Sequence, residues 1–227
     1  MNDIKYRNEI KYLCTEQQLV MIEKRIENIC KKDKHVGETG EYLVRSVYFD
    51  DYEDSCYYEN IDGVNQREKF RIRIYNGDMN FILLECKSKL NGKNHKDSCR
   101  LTKEQCEKIL QGNYSYSDED PPVLRKFILK TVTRFMRPKV IVQYVRTPYT
   151  YDIGNVRITF DRNISASAEV MDFGKSRLDV MPVMQEGYHI LEVQYDELLP
   201  DFLRQEIQTE GLLHTAFSKY VICRKAL

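Results

Sequence analysis

Residues 67–89, REKFRIRIYNGDMNFILLECKSK, read as two β-strands joined by a turn. In the first strand Arg67, Lys69, Arg71 and Arg73 alternate with Phe70, Ile72 and Ile74. A side-chain period of two puts the cations on one face and the apolar set on the other. In the second strand Glu85, Lys87 and Lys89 share a face. Asn76-Gly77 is the strongest hairpin signal in the chain. A two-residue turn there would set Arg71 beside Ile82 and mix the faces. A three-residue turn over 77–79 pairs Arg71 with Glu85 and Lys69 with Lys87, which keeps one charged face and places opposite charges across the strands. The longer turn is expected.

Two further stretches alternate in the same way. Residues 4–12, IKYRNEIKY, put Lys5, Arg7, Glu9 and Lys11 opposite Ile4, Tyr6, Ile10 and Tyr12; residues 190–196 put Glu192, Gln194 and Asp196 on one face. One such strand would merely be half-solvated. Four charged faces rich in cations, with a few single carboxylates, predict a sheet rolled so that its polar faces meet.

The remaining elements follow from caps and periodicity. Thr15 with Gln18 forms a capping box for a helix over 16–32, whose buried stripe is Leu19, Ile22, Ile26 and Ile29. Residues 42–49 are a strand and 54–61 a short helical turn. A polar turn is expected at 91–96 and a strand at 97–101; Thr102 with Gln105 then caps a helix to 111. Pro121 and Pro122 open a helix carrying Val123, Leu124, Phe127, Ile128 and Val132. Strands are expected at 139–150, 155–162, 166–172 and 188–196, and helices at 201–210 and 213–223. No linker, repeat or low-complexity tract interrupts the chain, so residues 1–227 read as a single α+β domain of antiparallel strands with about five helices around it.

Composition removes several function classes. Among 227 residues, Lys plus Arg equals Asp plus Glu at 35 each, so no global field draws in polyanions and any anion site must be local. The acidic residues gather in 38–62 and 118–120. Seven scattered cysteines without CxxC spacing read as reduced, mostly buried thiols. A polar N-terminus and the lack of a long apolar run predict a cytoplasmic chain with no transmembrane segment. GxxxxGK[ST], GxGxxG, HExxH and Gly-x-Ser-x-Gly are all absent, and the four histidines (35, 95, 189, 214) form no ligand pair.

Phosphate chemistry by electrostatics remains, since phosphoryl transfer needs positioning and charge neutralisation more than covalent help. Arg71 and Arg73 present two guanidinium forks about 7 Å apart along one strand face, a spacing suited to successive phosphates. Lys11, Lys87, Arg146 and Arg157 add cations from other strands. Mg2+ or Mn2+ needs only one or two carboxylates when phosphate oxygens fill its other positions. Glu192, flanked by Leu191 and Val193, is the first candidate, followed by Glu9 and Glu85; Glu85 reads equally well as a structural ion pair with Arg71. Lys5, Lys69 and Lys89 read as solvated strand ends. Nucleic acid is not expected as a partner: the basic strand faces lack a stacking platform, and the Tyr-rich stretch 48–58 lies among acidic residues.

In order along the chain stand RNEIKY (7–12), SVYFDD (46–51), YYENIDGV (57–64), FRIRIYNGD (70–78), LECKSK (84–89), QYVRTPY (143–149), VRITFD (156–161), ILEVQYDELLP (190–200) and SKYV (218–221). With these blocks the chain resembles the VTC-type polyphosphate polymerase domain, a branch of the triphosphate tunnel metalloenzymes. The resemblance implies a closed, eight-stranded antiparallel tunnel with inward basic residues and a helix guarding one end. It implies ATP, triphosphate or polyphosphate as ligand with Mn2+ or Mg2+, and transfer of the γ-phosphate of ATP to a growing chain. Carried over by motif, Lys11, Arg71, Arg73, Lys87, Arg146, Arg157 and Lys219 bind phosphate, with Lys11, Arg71, Arg73 and Lys87 at the catalytic centre, and Glu192 binds metal. Two positions depart from the pattern. Gln194 stands where the family usually reads lysine (LEVK), and Ala216 stands where the eukaryotic polymerases carry another lysine. These departures leave triphosphate hydrolysis in the same tunnel, or binding without turnover, as alternatives.

Overall fold

The computed structural model describes residues 6–34, 36–37, 39–208 and 212–227. His35, Glu38 and the first residues of the expected strand 3–13, including Ile4 and Lys5, lie outside them, as do residues 209–210 of the expected helix 201–210. The elements in chain order are β1 (Asn8–Thr15), α1 (Glu16–Ile26), β2 (Lys31–Lys32), β3 (Tyr42–Asp50), α2 (Ser55–Ile61), β4 (Arg67–Tyr75), β5 (Ile82–Leu90), β6 (Lys93–Leu101) and α3 (Lys103–Leu110). They continue with α4 (Pro122–Arg134), β7 (Arg137–Tyr151), β8 (Val156–Ser167), β9 (Met181–Pro182), β10 (Tyr188–Tyr195), α5 (Asp201–Ile207), β11 (Leu213–His214) and α6 (Lys219–Ala226). Among the described residues eight strands are eight residues or longer, and the pairs β1–β10, β10–β8, β3–β4, β4–β5 and β5–β6 are antiparallel.

The described residues fall into two compact units, each assembled from separate stretches of chain. The first holds residues 1–43, 144–164 and 184–217. Here β1 pairs with β10, and β10 with β8. Helices α1 and α5 pack on one face, where Leu19, Ile22 and Ile26 meet Ile158, Phe160, Leu191, Val193, Leu203 and Ile207. Thr15 caps α1 in the expected box with Gln18. The helix stops at Ile26 rather than running to 32, because Lys31 and Lys32 pair with Thr150 and Tyr149 of β7.

The second unit holds residues 44–143, 165–183 and 218–227. Its sheet runs β3–β4–β5–β6, and α3 and α4 cover the face bearing Phe70, Ile72, Ile74, Ile82, Leu84 and Cys86. Thr102 and Gln105 form the second capping box, and a proline opens α4, both as expected. The register is the one the charge argument demands: Arg71 faces Glu85 and Lys69 faces Lys87.

Several boundaries differ from the sequence reading. Strand β6 begins at Lys93, not 97, because Asn91-Gly92 alone makes the turn: both have positive φ (49° and 79°), and Leu90 pairs with Lys93. Asn76 and Gly77 also have positive φ, and the Asp78 amide donates to the Tyr75 carbonyl, yet the connection there is wider and does not set the register. The strands expected at 155–162 and 166–172 are one strand, β8, which continues through Asn163 at φ 55° and stops at Ser167. The helix expected over 213–223 starts at Lys219, where the Ser218 hydroxyl accepts from the Val221 amide; Leu213 and His214 instead pair with β1.

Among the described residues six α-helices stand where about five were expected, because the turn at 54–61 is a full helix. Buried Asp50 makes it so, accepting the amides of Cys56 and Tyr57 at that helix's N-terminus. The closed ladder is also corrected: among the described residues β6 pairs with β5 on one side and with no strand on the other. All seven cysteines are free, and no helix among the described residues is long and apolar enough to cross a membrane.

Candidate functional site

In the second unit the face opposite α3 and α4 carries the cations. Period two on β4 and β5, with the register above, builds two cross-strand rows: Lys69–Lys87–Lys96 and Tyr48–Arg71–Glu85–Ser98. Glu85 is fully buried and serves three cations at once. Arg71 Nε lies 2.6 Å from Glu85 Oε2, Arg73 Nε 3.6 Å from the same oxygen, and Lys96 Nζ 2.9 Å from Oε1. Burial opposes the Glu85 charge, but Arg71, Arg73 and Lys96 together outweigh it and hold the carboxyl well below its ordinary range.

Arg71 also donates to the Tyr48 hydroxyl at 2.8 Å, and Arg73 to Ser46 Oγ at 3.2 Å. Burial raises the Tyr48 pKa, yet the fields of Arg71, Arg73 and Lys219 prevail and lower it. A phenol whose acidity rises among cations marks this face as strongly electropositive. Tyr48 stacks on Tyr220 of α6 at 5.4 Å between ring centroids, and Tyr220 donates to Asp50 at 2.5 Å. Lys69 Nζ donates to Ser218 Oγ at 3.3 Å. Helix α6 therefore lies against the cationic face and brings buried Lys219 to it.

In the first unit the face opposite α1 and α5 is also polar. Two cross-strand rows again form: Lys11–Glu192–Thr159 and Glu9–Gln194–Arg157. Lys11 Nζ lies 2.9 Å from Glu9 Oε1 and 3.9 Å from Glu192 Oε2, and donates to the Phe217 carbonyl at 3.1 Å. Gln194 Nε2 donates to Glu9 Oε2 and Glu192 Oε1, each at 2.8 Å. One amide thus draws two carboxylates together. Arg146 grips buried Asp161 with both prongs, at 2.6 and 2.7 Å. Burial opposes the Arg146 charge, but Asp161, Tyr144 and Glu192 raise its pKa well above the ordinary value. Arg157 donates to Asp33 at 2.9 Å and to the Tyr42 hydroxyl at 3.2 Å, while its buried Nε has no hydrogen-bond partner among the described residues.

The structure therefore gathers Arg71, Arg73, Lys87, Lys219 and Glu85 on one face of the second unit. It gathers Lys11, Glu9, Glu192, Arg146 and Arg157 on one face of the first. Sequence reasoning missed Lys96, assigned to a turn, although an Asn-Gly hairpin at 91–92 would have placed it opposite Lys87. It also missed Tyr48, Asp161 and Thr159; the last two share Arg157's parity on β8.

Glu9 and Glu192 are oxygen donors of the kind hard divalent cations take. Among the described residues no group of three or more His, Cys, Asp or Glu side chains converges as a full metal cage. The donor set fits an ion that draws its other ligands from phosphate and water. Glu85, enclosed by three cations, fits such an ion poorly.

Solved structures share this arrangement of elements. The chain is similar to a putative adenylyl cyclase of Hippeastrum described as having dominant triphosphatase activity (13% identity, 98% of this chain and 96% of that one, TM-score 0.58). It is also similar to the PH1819 protein of Pyrococcus horikoshii (14%, 98% and 100%, 0.51) and to a putative adenylate cyclase of Bacillus halodurans (13%, 89% and 87%, 0.51). The chain shares the fold of these structures. More narrowly, it belongs to the VTC domain family, whose profile matches residues 6–227. No curated protein matches the sequence.

Proposed function

We propose that this VTC domain is a metal-dependent polyphosphate polymerase that passes the γ-phosphate of ATP to a growing chain in a basic tunnel. The observation that carries the reading is the face of the second unit, where Arg71, Arg73 and Lys96 surround one buried carboxylate and Lys96 continues into the cross-strand row Lys69–Lys87–Lys96. Polyphosphate presents repeated negative charge to such a row of cations, and the guanidinium forks bind its oxygens two at a time.

Arg71, Arg73 and Lys87 hold the β- and γ-phosphates of ATP and the chain end; Lys219, Arg146 and Arg157 hold further phosphates. The unpartnered Nε of Arg157 supports its part. Glu192 and Glu9 would hold Mn2+ or Mg2+, which supplies neutralisation of phosphate charge. A terminal oxygen of the polyphosphate chain attacks the γ-phosphorus, the bond to the β-phosphate oxygen breaks, and ADP leaves. Lys11 stabilises the charge on the transferring phosphoryl group. Glu85 serves in this scheme as a counter-charge that keeps Arg71 and Arg73 aligned, not as a metal ligand.

Purified protein incubated with ATP and Mn2+ should yield a long polymer sensitive to exopolyphosphatase, and ADP in equal amount to the phosphate incorporated. Release of inorganic phosphate instead would establish the triphosphatase reading. Tight, salt-sensitive tripolyphosphate binding without turnover would establish a sensor, a role favoured by the neutral Gln194 and Ala216 at positions where lysines are usual.

A further inference from the structure

On the polar face of β1, β10 and β8 two buried polar atoms have no hydrogen-bond partner among the described residues, Arg157 Nε and Thr159 Oγ1, and of these only the hydroxyl oxygen can bind a cation. Thr159 is 2% exposed, and its buried Oγ1 has no hydrogen-bond partner among the described residues. A buried hydroxyl left in that state costs about 1–3 kcal/mol, and such atoms are rare enough to need a reason. Position supplies one. Thr159 pairs directly with Glu192 across β10 and β8; side chains of such pairs stand about 5 Å apart at Cβ, on one face. Glu192 pairs in turn with Lys11, so Thr159 ends the row Lys11–Glu192–Thr159.

Next to that row Gln194 Nε2 holds oxygens of Glu9 and Glu192 at 2.8 Å each, so the two oxygens lie within twice that distance of one another. Two bonds from a divalent ion at about 2.0–2.6 Å each reach oxygens up to about 5 Å apart, so a small closing of this gap lets one ion bind both. Two carboxylates and a hydroxyl form an all-oxygen donor set of the hard type.

We propose that Thr159 is a ligand residue of a divalent-cation subsite on this face. Its Oγ1 binds the ion directly or through one bound water, and Gln194 acts as the positioning residue that holds Glu9 and Glu192 toward it. The proposal rests on the metal-dependent reading above and adds to it a ligand from β8. It explains why a sheet interior tolerates an unpaired hydroxyl: the group is satisfied when the ion is bound.

The test measures binding of Mn2+ alone, by calorimetry and by the electron paramagnetic resonance of free Mn2+, in the full chain without nucleotide. Thr159→Val removes the hydroxyl and keeps the shape; it should weaken Mn2+ binding about tenfold while leaving the metal-free thermal midpoint unchanged or raised. Thr159→Ser, which restores the hydroxyl, should bind as wild type does. Should the Val variant fail to fold, Thr159→Ala read against Thr159→Ser carries the comparison. Equal Mn2+ affinity in wild type and the variants lacking the hydroxyl overturns the assignment, as does wild-type protein that binds no Mn2+. Wild type that binds Mn2+ in a Thr159-dependent way but makes no polymer leaves the assignment standing and overturns only the polymerase reading.

Discussion

Arg71 Nε sits 2.6 Å from Glu85 Oε2, between residues paired directly across β4 and β5. The carboxylate is fully buried and also reaches Arg73 and Lys96. The pair thus fixes the guanidinium forks in place without cancelling the charge of the cluster.

From this, Glu85→Gln should destabilise the protein by about 3 kcal/mol, the usual cost of stranding buried charges by removing their partner. Tripolyphosphate affinity should not fall with it, since the anion can take over from the lost carboxylate. Urea unfolding and calorimetric titration of the same variant give the two numbers. A variant of wild-type stability would show that the ion pair contributes nothing to the fold.

Arg71→Ala removes a ligand fork and leaves Glu85 with two cations. Its affinity for tripolyphosphate should drop tenfold or more, equivalent to about 1.4 kcal/mol, and the dependence of log affinity on log salt should become shallower by about one. Arg71→Lys should recover only part of the loss, because an ammonium cannot grip two oxygens in a plane.

Glu192→Ala separates metal from phosphate. Mn2+-dependent turnover should be lost, while tripolyphosphate binding measured in chelator stays within a few-fold of wild type. Unchanged Mn2+-dependent polymer synthesis in this variant would remove Glu192 from the site.

Glu68, on the other face of β4, tests the fold's response to acid. Burial opposes its charge, but Lys126 at 2.5 Å and Lys130 at 2.9 Å outweigh it and bring its pKa down to about 2. A depressed carboxyl stabilises the fold above its unfolded pKa, about 4.3, and loses that contribution as pH falls toward 2. Glu68→Gln should therefore cost about 1 kcal/mol at pH 7 and next to nothing near pH 2, a convergence that thermal melts at the two pH values would show.

Tyr220 joins α6 to buried Asp50, whose oxygens also accept the amides of Asp51, Cys56 and Tyr57. Tyr220→Phe keeps the stacking on Tyr48 and removes one charge-assisted hydrogen bond, worth about 1.5–3 kcal/mol. Amide exchange in α6 should quicken, and more than in α1. Unaltered exchange would mean that α6 is held by its apolar contacts alone.

Charge alternation on β4 and β5 was decisive in the sequence because only one register keeps Arg71 opposite Glu85. The pull of cross-strand charge and burial outranked the Asn-Gly signal at 76–77, which forms its local turn without closing the hairpin. At Asn91-Gly92 the same dipeptide does close a two-residue hairpin, and a reading of NGKNHK as merely polar hid β6 and with it Lys96. Caps were equally legible: Thr15–Gln18 and Thr102–Gln105 act over three residues and need nothing distant. The start of α6 was not, since Leu213 and His214 are drawn away from helix by pairing with β1.

Face, register, capping and the identity of the cations were thus already present in the one-dimensional pattern, because each depends on neighbours within a strand or a helical turn. Three features needed the folded chain: which carboxylate is wrapped by cations, which two are drawn together by one amide, and which hydroxyl is left without a partner. Glu85 takes its three cations from the adjacent hairpin strands, whereas the Glu9–Gln194–Glu192 bridge and Thr159 owe their environments to strands far apart in sequence. Burial and the lengths of hydrogen bonds between such strands are set only when side chains from all of them compete for the same space.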